Sequence, residues 1–150
     1  MAESRARLGY GTLLERRISA DGVSPEVWQL IAERVSIGGP SMSRDAPDAT
    51  HMDSPNGWRE FIPGLKDAGE LTVEGNFVPD DPSQNGETGL LSEFYSDVRA
   101  RWRITFPLTG SPAVQWEMSG IMTGFELDMP VDDKLAFTAT VKISGEPTIR

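Results

Sequence analysis

Side chains able to do chemistry are few and badly placed for it. The single histidine, His51, stands among Asp45, Asp48 and Asp53, and the 150 residues contain no cysteine. A histidine relay or a zinc centre needs further histidines, cysteines or a positioned nucleophile, and the chain around His51 offers none. Acids at this spacing suggest calcium only superficially. A calcium loop needs a central glycine, alternating oxygen ligands and flanking helices, and residues 45–53 lack them. Aspartates in such a segment solvate the loop and cap its turns. Glu117 with Glu126, and Asp132 with Asp133, are carboxylate pairs of the type used in glycoside hydrolysis, but nothing sets either pair across a cleft. No GxSxG elbow, P-loop or GxGxxG is present. Arg99, Arg101 and Arg103 could hold a phosphate. Alternating on one strand face beside an acidic stretch, they are better suited to pairing with carboxylates within or between subunits. The sequence therefore predicts no catalytic residue, no cofactor and no metal.

The charge distribution limits the partners. Net charge is −9, and eight acids with no base lie between Lys66 and Arg99. Such a surface repels phosphates and lacks the basic footprint of specific DNA binding, although it would let nucleic acid pass without sticking. The absence of cysteine agrees with assembly in a reducing cytosol. No apolar run approaches the roughly 20 residues that cross a bilayer, and MAESRARLGYG lacks the apolar core of a secretion signal, so a soluble, unexported chain without membrane insertion is expected. Its length suits one domain with a sizeable core.

The elements that could position these residues are mostly strands. Gly9–Ser19, followed by Asp21-Gly22, reads as the first arm of a hairpin. Ser24-Pro25-Glu26 could start a helix running to Arg34, but the hairpin context favours a strand over about 28–37. Leu71, Val73, Gly75 and Phe77 alternate with polar residues as in a half-buried strand. Leu90, Leu91, Phe94, Tyr95 and Val98 predict one helix over about 87–98, flanking or plugging the core. Trp102, Ile104 and Phe106 share the inner face of the next strand, and Pro107–Pro112 is a turn. The long strand after Val114 changes its apolar phase, and a bulge or bend at Gly120 would account for this. Leu135 to Ile143 alternates without error. The sum is mainly β: six or seven largely antiparallel strands in a β-sandwich or partly open barrel with one flanking helix.

Between the early strands lies a proline-punctuated segment, about 39–66, carrying Trp58 and Phe61 without periodicity. A loop of this length is usually functional, and its aromatic residues need another surface to cover them. It reads as an extended arm inserted in a single domain over residues 1–150.

Ile37-Gly38-Gly39-Pro40, the block DSPNGWREFIPGLKDAGELTVEGNFVPDD at 53–81, the helix leading into RWRITFPLTG, and the close SGIMTGFELDMPVDDKLAFTATVKISGEPT together resemble the tail tube (major tail) proteins of long-tailed bacteriophages and phage-tail-like particles. The resemblance covers most of the chain, and the middle block is its most specific part. It implies a structural virion protein, found in the tail and assembled in the host cytoplasm, whose subunits form stacked hexameric rings. The hollow tube surrounds a tape-measure protein, meets tail initiator and terminator proteins, and conducts DNA without binding it specifically. The resemblance implies that the arm reaches a neighbouring subunit, with Met42, Arg44, Asp48, Trp58, Arg59 and Phe61 as contact residues. Long hairpins would line the lumen, with Glu117, Glu126 and Asp128 as its acids. Arg5, Arg7, Arg16 and Arg17 would meet the acidic face of the next ring. Two readings compete: a carbohydrate-binding β-sandwich using Trp58, Trp102 or Trp116, and a carboxylate hydrolase.

Overall fold

Leu71 to Asn76 and Ala136 to Ile143 alternate most regularly in sequence, and they form the centre of the molecule. The computed structural model describes residues 4–18, 24–107 and 114–149. In chain order the strands are β1 (Leu13–Arg17), β2 (Trp28–Leu30), β3 (Arg34–Gly38), β4 (Ser43–Arg44), β5 (Lys66–Asp67), β6 (Glu70–Asn76), β7 (Ala100–Thr105), β8 (Gln115–Asp128), β9 (Ala136–Ile143) and β10 (Thr148–Ile149), with one helix, α1 (Leu90–Phe94). One antiparallel sheet runs β2-β1-β7-β8-β9-β6-β3, with β10 added beside β8, while β4 and β5 pair separately.

The two end strands of that sheet, β2 and β3, are consecutive in the chain. Seven strands side by side would span roughly 29 Å if flat. From Leu30 to Arg34 the chain can stretch only about 15 Å. The sheet must therefore curl until its ends meet across residues 31–33. They meet without pairing, so the barrel stays open. Leu14, Ile31, Leu71, Val73, Trp102, Ile104, Met118, Phe137, Ala139, Val141 and Ile143 fill the interior.

Three local expectations change. The strand expected over 28–37 is divided: Ile31 is fully buried, Glu33 takes a φ of 56°, and the chain crosses from one end of the sheet to the other. Arg34 fastens this crossing, donating from Nε to the Thr12 carbonyl and from Nη1 to the Ile31 carbonyl. The apolar phase of β8 survives Gly120, since Met122 is buried and Ile121 exposed. It switches where the register with β9 shifts, between Met122 and Gly124. Gly120 has a different role: a Cβ there would lie 2.6 Å from the Lys142 carbonyl oxygen. The helix is shorter than 87–98: it ends at Phe94, and it starts only at Leu90 because Asn85 Oδ1 accepts the N–H groups of Glu87, Thr88 and Gly89 and holds that stretch as a turn. Leu90 is buried, but Phe94, Tyr95 and Val98 are exposed. The Asp21-Gly22 turn and most of the Pro107–Pro112 turn lie outside the described residues.

Candidate assembly surfaces

The arm is a ribbon built on its own backbone. β4 pairs with β5, Asp48 bridges to Phe61, and Asp45, Ala49, Ile62 and Gly64 add backbone hydrogen bonds across the two legs. Ser54 and Glu60 tie the tip: Ser54 Oγ donates to Glu60 Oε2 at 2.7 Å and accepts from His51 N. His51 Nδ1 stands 3.3 Å from the same Glu60 carboxylate, which leaves it a loop contact. The extended arm expected from the sequence therefore has internal order that its irregular pattern did not reveal. Hydrogen bonds from Thr50, first through its hydroxyl and then its N–H, hold the Asp48 carboxyl below the usual carboxylate range. At the root, Gly39 and Gly69 have φ of 101° and 77°, and a Cβ on either would meet the opposite leg's backbone. The legs thus cross at glycine-only distance. The N–H of Gly69, followed by Lys142, holds the Asp67 carboxyl low and links the ribbon to β9.

This ordered ribbon covers almost none of its own side chains. Met42, Arg44, Asp48, Trp58, Arg59 and Phe61 are all exposed. Trp58 keeps 74% of its surface in solvent, and Met52, Ile62 and Leu65 are also open. Backbone order without side-chain burial is the signature of a segment shaped for a partner.

The second surface is a pair of open sheet edges. β7 pairs with β8 only as far as Gly120, and beyond it, among the described residues, β8 meets a strand on its β9 side alone. Among the described residues β3 pairs only with β6, and its far side faces a slot of about 610 Å³ bounded by Gly9–Thr12. Between these edges lies a four-stranded unit, β8-β9-β6-β3. Its inner face carries Leu71, Val73, Phe137, Ala139 and Val141. On its outer face Ser36, Glu74, Thr138 and Glu126 stand in one cross-strand row, with Asp128 in the next row on one side and, on the other, a row of Thr72 and Thr140 followed by Glu70 opposite Lys142.

The three acids expected on a lumen are therefore separated. Glu126 and Asp128 are exposed on the outer face, whereas Glu117 is buried and accepts from Arg101 at 2.9 Å. Glu117 holds a strand pair together and is not an open carboxylate within the chain. Glu70 and Glu74 are also exposed on the outer face, and the alternation about Leu71 and Val73 already set them outward. Which strands they would stand beside was not visible.

Other charged groups are absorbed by the body. Arg103 pairs with Glu15 at 2.8 Å and lies over the Trp28 ring. Arg16 is buried, pairing with Glu93 and donating to Gln29 Oε1 and the Thr88 carbonyl, so it clamps α1 to β1 and is not available to another ring. Arg17 faces Glu26 at 3.3 Å, while Arg5 and Arg7 are exposed. Gln84, a fully buried side chain that loop composition gave no reason to notice, joins the 31–33 crossing to the end of β6. Trp102 is core, and Trp116 packs against the core and Phe106, leaving only Trp58 of the three tryptophans considered for sugar stacking exposed. Among the described residues no group of three or more His, Cys, Asp or Glu could hold a metal ion.

Residues 15–150 match the model of a family described as lambda phage tail tube protein, TTP. Solved structures share the fold. The chain is 18% identical to one from the tail of an empty gene transfer agent particle with C6 symmetry, covering 97% of this chain and 99% of that one with a TM-score of 0.72. A chain from the sheath/tube terminator structure of the PVC extracellular contractile injection system is 14% identical, with 99% of both covered and a TM-score of 0.72. The SPP1 tail tube structure is 11% identical over 93% of this chain and 77% of that one, at a TM-score of 0.67. No curated protein matches the chain.

Proposed function

The chain belongs to the lambda phage tail tube protein family, and from that premise we propose that it is a structural, non-enzymatic subunit that assembles into stacked hexameric rings around a lumen conducting DNA. The observation that carries this reading is the β8-β9-β6-β3 unit with an open edge at each side among the described residues, along β3 and along β8 beyond Gly120. An even number of antiparallel strands preserves alternation when copies are related by rotation alone, so the β8 edge of one copy can add antiparallel to the β3 edge of the next. Such a contact is heterologous and closes only as a ring. Six copies, the symmetry stated for the gene transfer agent tail, would supply about two dozen strands. At about 4.8 Å spacing and about 40° tilt these enclose a bore about 45–50 Å across between backbones, wide enough for duplex DNA.

The outer face of that unit would line the bore. Glu74, Glu126 and Asp128, with Glu70 beyond the intervening threonines, then repel phosphates, and Lys142, the base opposite Glu70, is held by Asp67. The exposed ribbon 42–65 would lie on a copy of the adjacent ring, covering Trp58 and Phe61. A tape-measure protein inside, and initiator and terminator proteins at the ends, complete the tail, which is built in the host cytoplasm and retained in the virion. Negative-stain microscopy of the purified chain, alone and supplied with tail tips of its own particle, tests the reading. Rings or tubes are expected. Isolated globular particles under both conditions would sink it.

A further inference from the structure

We propose that the groove at the root of the ribbon receives the β8-β9 turn of a second copy stacked end on end. This rests on the stacking reading above and assigns its contact. The groove, about 730 Å³, is floored by Met42, Ala68 and Ile149, with Arg44, Lys66 and Glu146 at its sides. Met42 and Ile149 are each about half exposed. Asp67, also on the lining, is occupied by Lys142 at 3.2 Å. Arg44 and Lys66 have no ion pair among the described residues, so the groove is apolar with surplus positive charge.

The turn at 129–135 has the opposite character. Met129 is 67% exposed and Val131 fully so. Asp128, Asp132 and Asp133 flank them, against one base, Lys134. Apolar tip meets apolar floor, and acids meet bases.

Register keeps the two apart within one copy. Asp128, Ala136 and Asn76 align at one end of the β8-β9-β6 unit, while Ile121, Lys142 and Glu70 align at the other. The groove lies just past the second end, so about 20 Å of strand separates it from the turn. Two complementary surfaces at opposite ends of one rigid unit cannot satisfy each other internally. They join copy to copy, head to tail, and that contact repeats without limit.

The test uses the full-length chain, which has no native cysteine. Met42→Cys and Val131→Cys are introduced together, and assembled tubes are oxidised. A ladder of disulfide-linked chains extending beyond dimers, absent from either single variant, is expected. Tubes that yield no ladder overturn the assignment while leaving stacking intact. A ladder from Met42→Cys with Trp58→Cys, and none with Val131→Cys, gives the groove to a neighbour's ribbon and also overturns it. A second measurement does not depend on the cysteines. Arg44→Glu with Lys66→Glu shortens tubes at least tenfold, and adding Asp132→Lys with Asp133→Lys restores their length. Unaltered length in the first variant, or no restoration in the second, rejects the pairing. If the wild type itself never stacks, the stacking reading fails and this one falls with it.

Discussion

The β6-β9 centre and the ribbon 41–67 are both antiparallel, hydrogen-bonded pairings, yet they bury their side chains in opposite ways. Along β9 every second residue is sealed in the core, and Phe137 stacks on Phe125 with centroids 5.8 Å apart. Along the ribbon only Ser54, Glu60 and Gly64 are even half-buried. Backbone pairing is thus enough to give a segment shape, but not to explain why it carries a tryptophan. The body has a filled core within a single chain, whereas the ribbon has a defined form and no cover.

Deleting residues 42–62 breaks this comparison most severely. The body should keep its far-ultraviolet spectrum and cooperative unfolding, while tube formation seen by microscopy and light scattering disappears. Loss of the fold as well would mean that the ribbon is part of the body. Next comes a matched pair of substitutions. Trp102→Ala removes a fully buried side chain and should lower unfolding free energy in denaturant titration by about 3–5 kcal/mol. Trp58→Ala should change it by less than about 0.5 kcal/mol, yet reduce the yield of tubes.

Glu93→Ala sharpens the contrast inside the body. It strands Arg16, whose side chain is only 5% exposed, and should cost about 3 kcal/mol. Arg16→Met in the same background removes the uncompensated buried charge and should recover part of that loss, less what the Gln29 and Thr88 acceptors forfeit.

The smallest effect is acidification at the ribbon root. The Asp67 carboxyl is held low by the Gly69 N–H and Lys142. A depressed pKa in the folded chain means that its contribution is complete above the ordinary aspartate value, about 3.9, and is lost as pH falls through the lowered value. Protection of the amides at residues 43–44 and 66–69, relative to their intrinsic exchange rates, should therefore fall at acid pH more than protection in β9. Asp67→Asn should remove the difference.

How much could be read in advance follows from the range of the signals. Leu71 to Phe77 and Leu135 to Ile143 declared themselves, because a strand with one buried face writes a two-residue period into the chain. Loop chemistry revealed less. Asn85 delays the start of the helix by accepting three N–H groups, and at the other end the apolar spacing runs on to Val98 although the helix ends at Phe94. The ribbon's order comes from pairing between residues about twenty apart, which has no periodic trace at the tip. Glu117 and Glu126 look alike in sequence. The bulge between Met122 and Gly124 brings both to one side of β8 in spite of their odd spacing, and they differ because Arg101 pairs with the buried Glu117 while Glu126 lies beyond the end of the β7 pairing.

The sequence by itself determined the mainly β class, the inner faces of the strong strands, the absence of a histidine or cysteine centre, the acidic balance and the existence of an uncovered aromatic segment. These follow from residue type and short-range spacing. Only the tertiary structure decided that the sheet curls with its ends joined but unpaired, that two edges stay open around a four-stranded unit, and which acids share its outer face. Those features depend on which strands become neighbours, and neighbourhood is set by packing the whole chain at once.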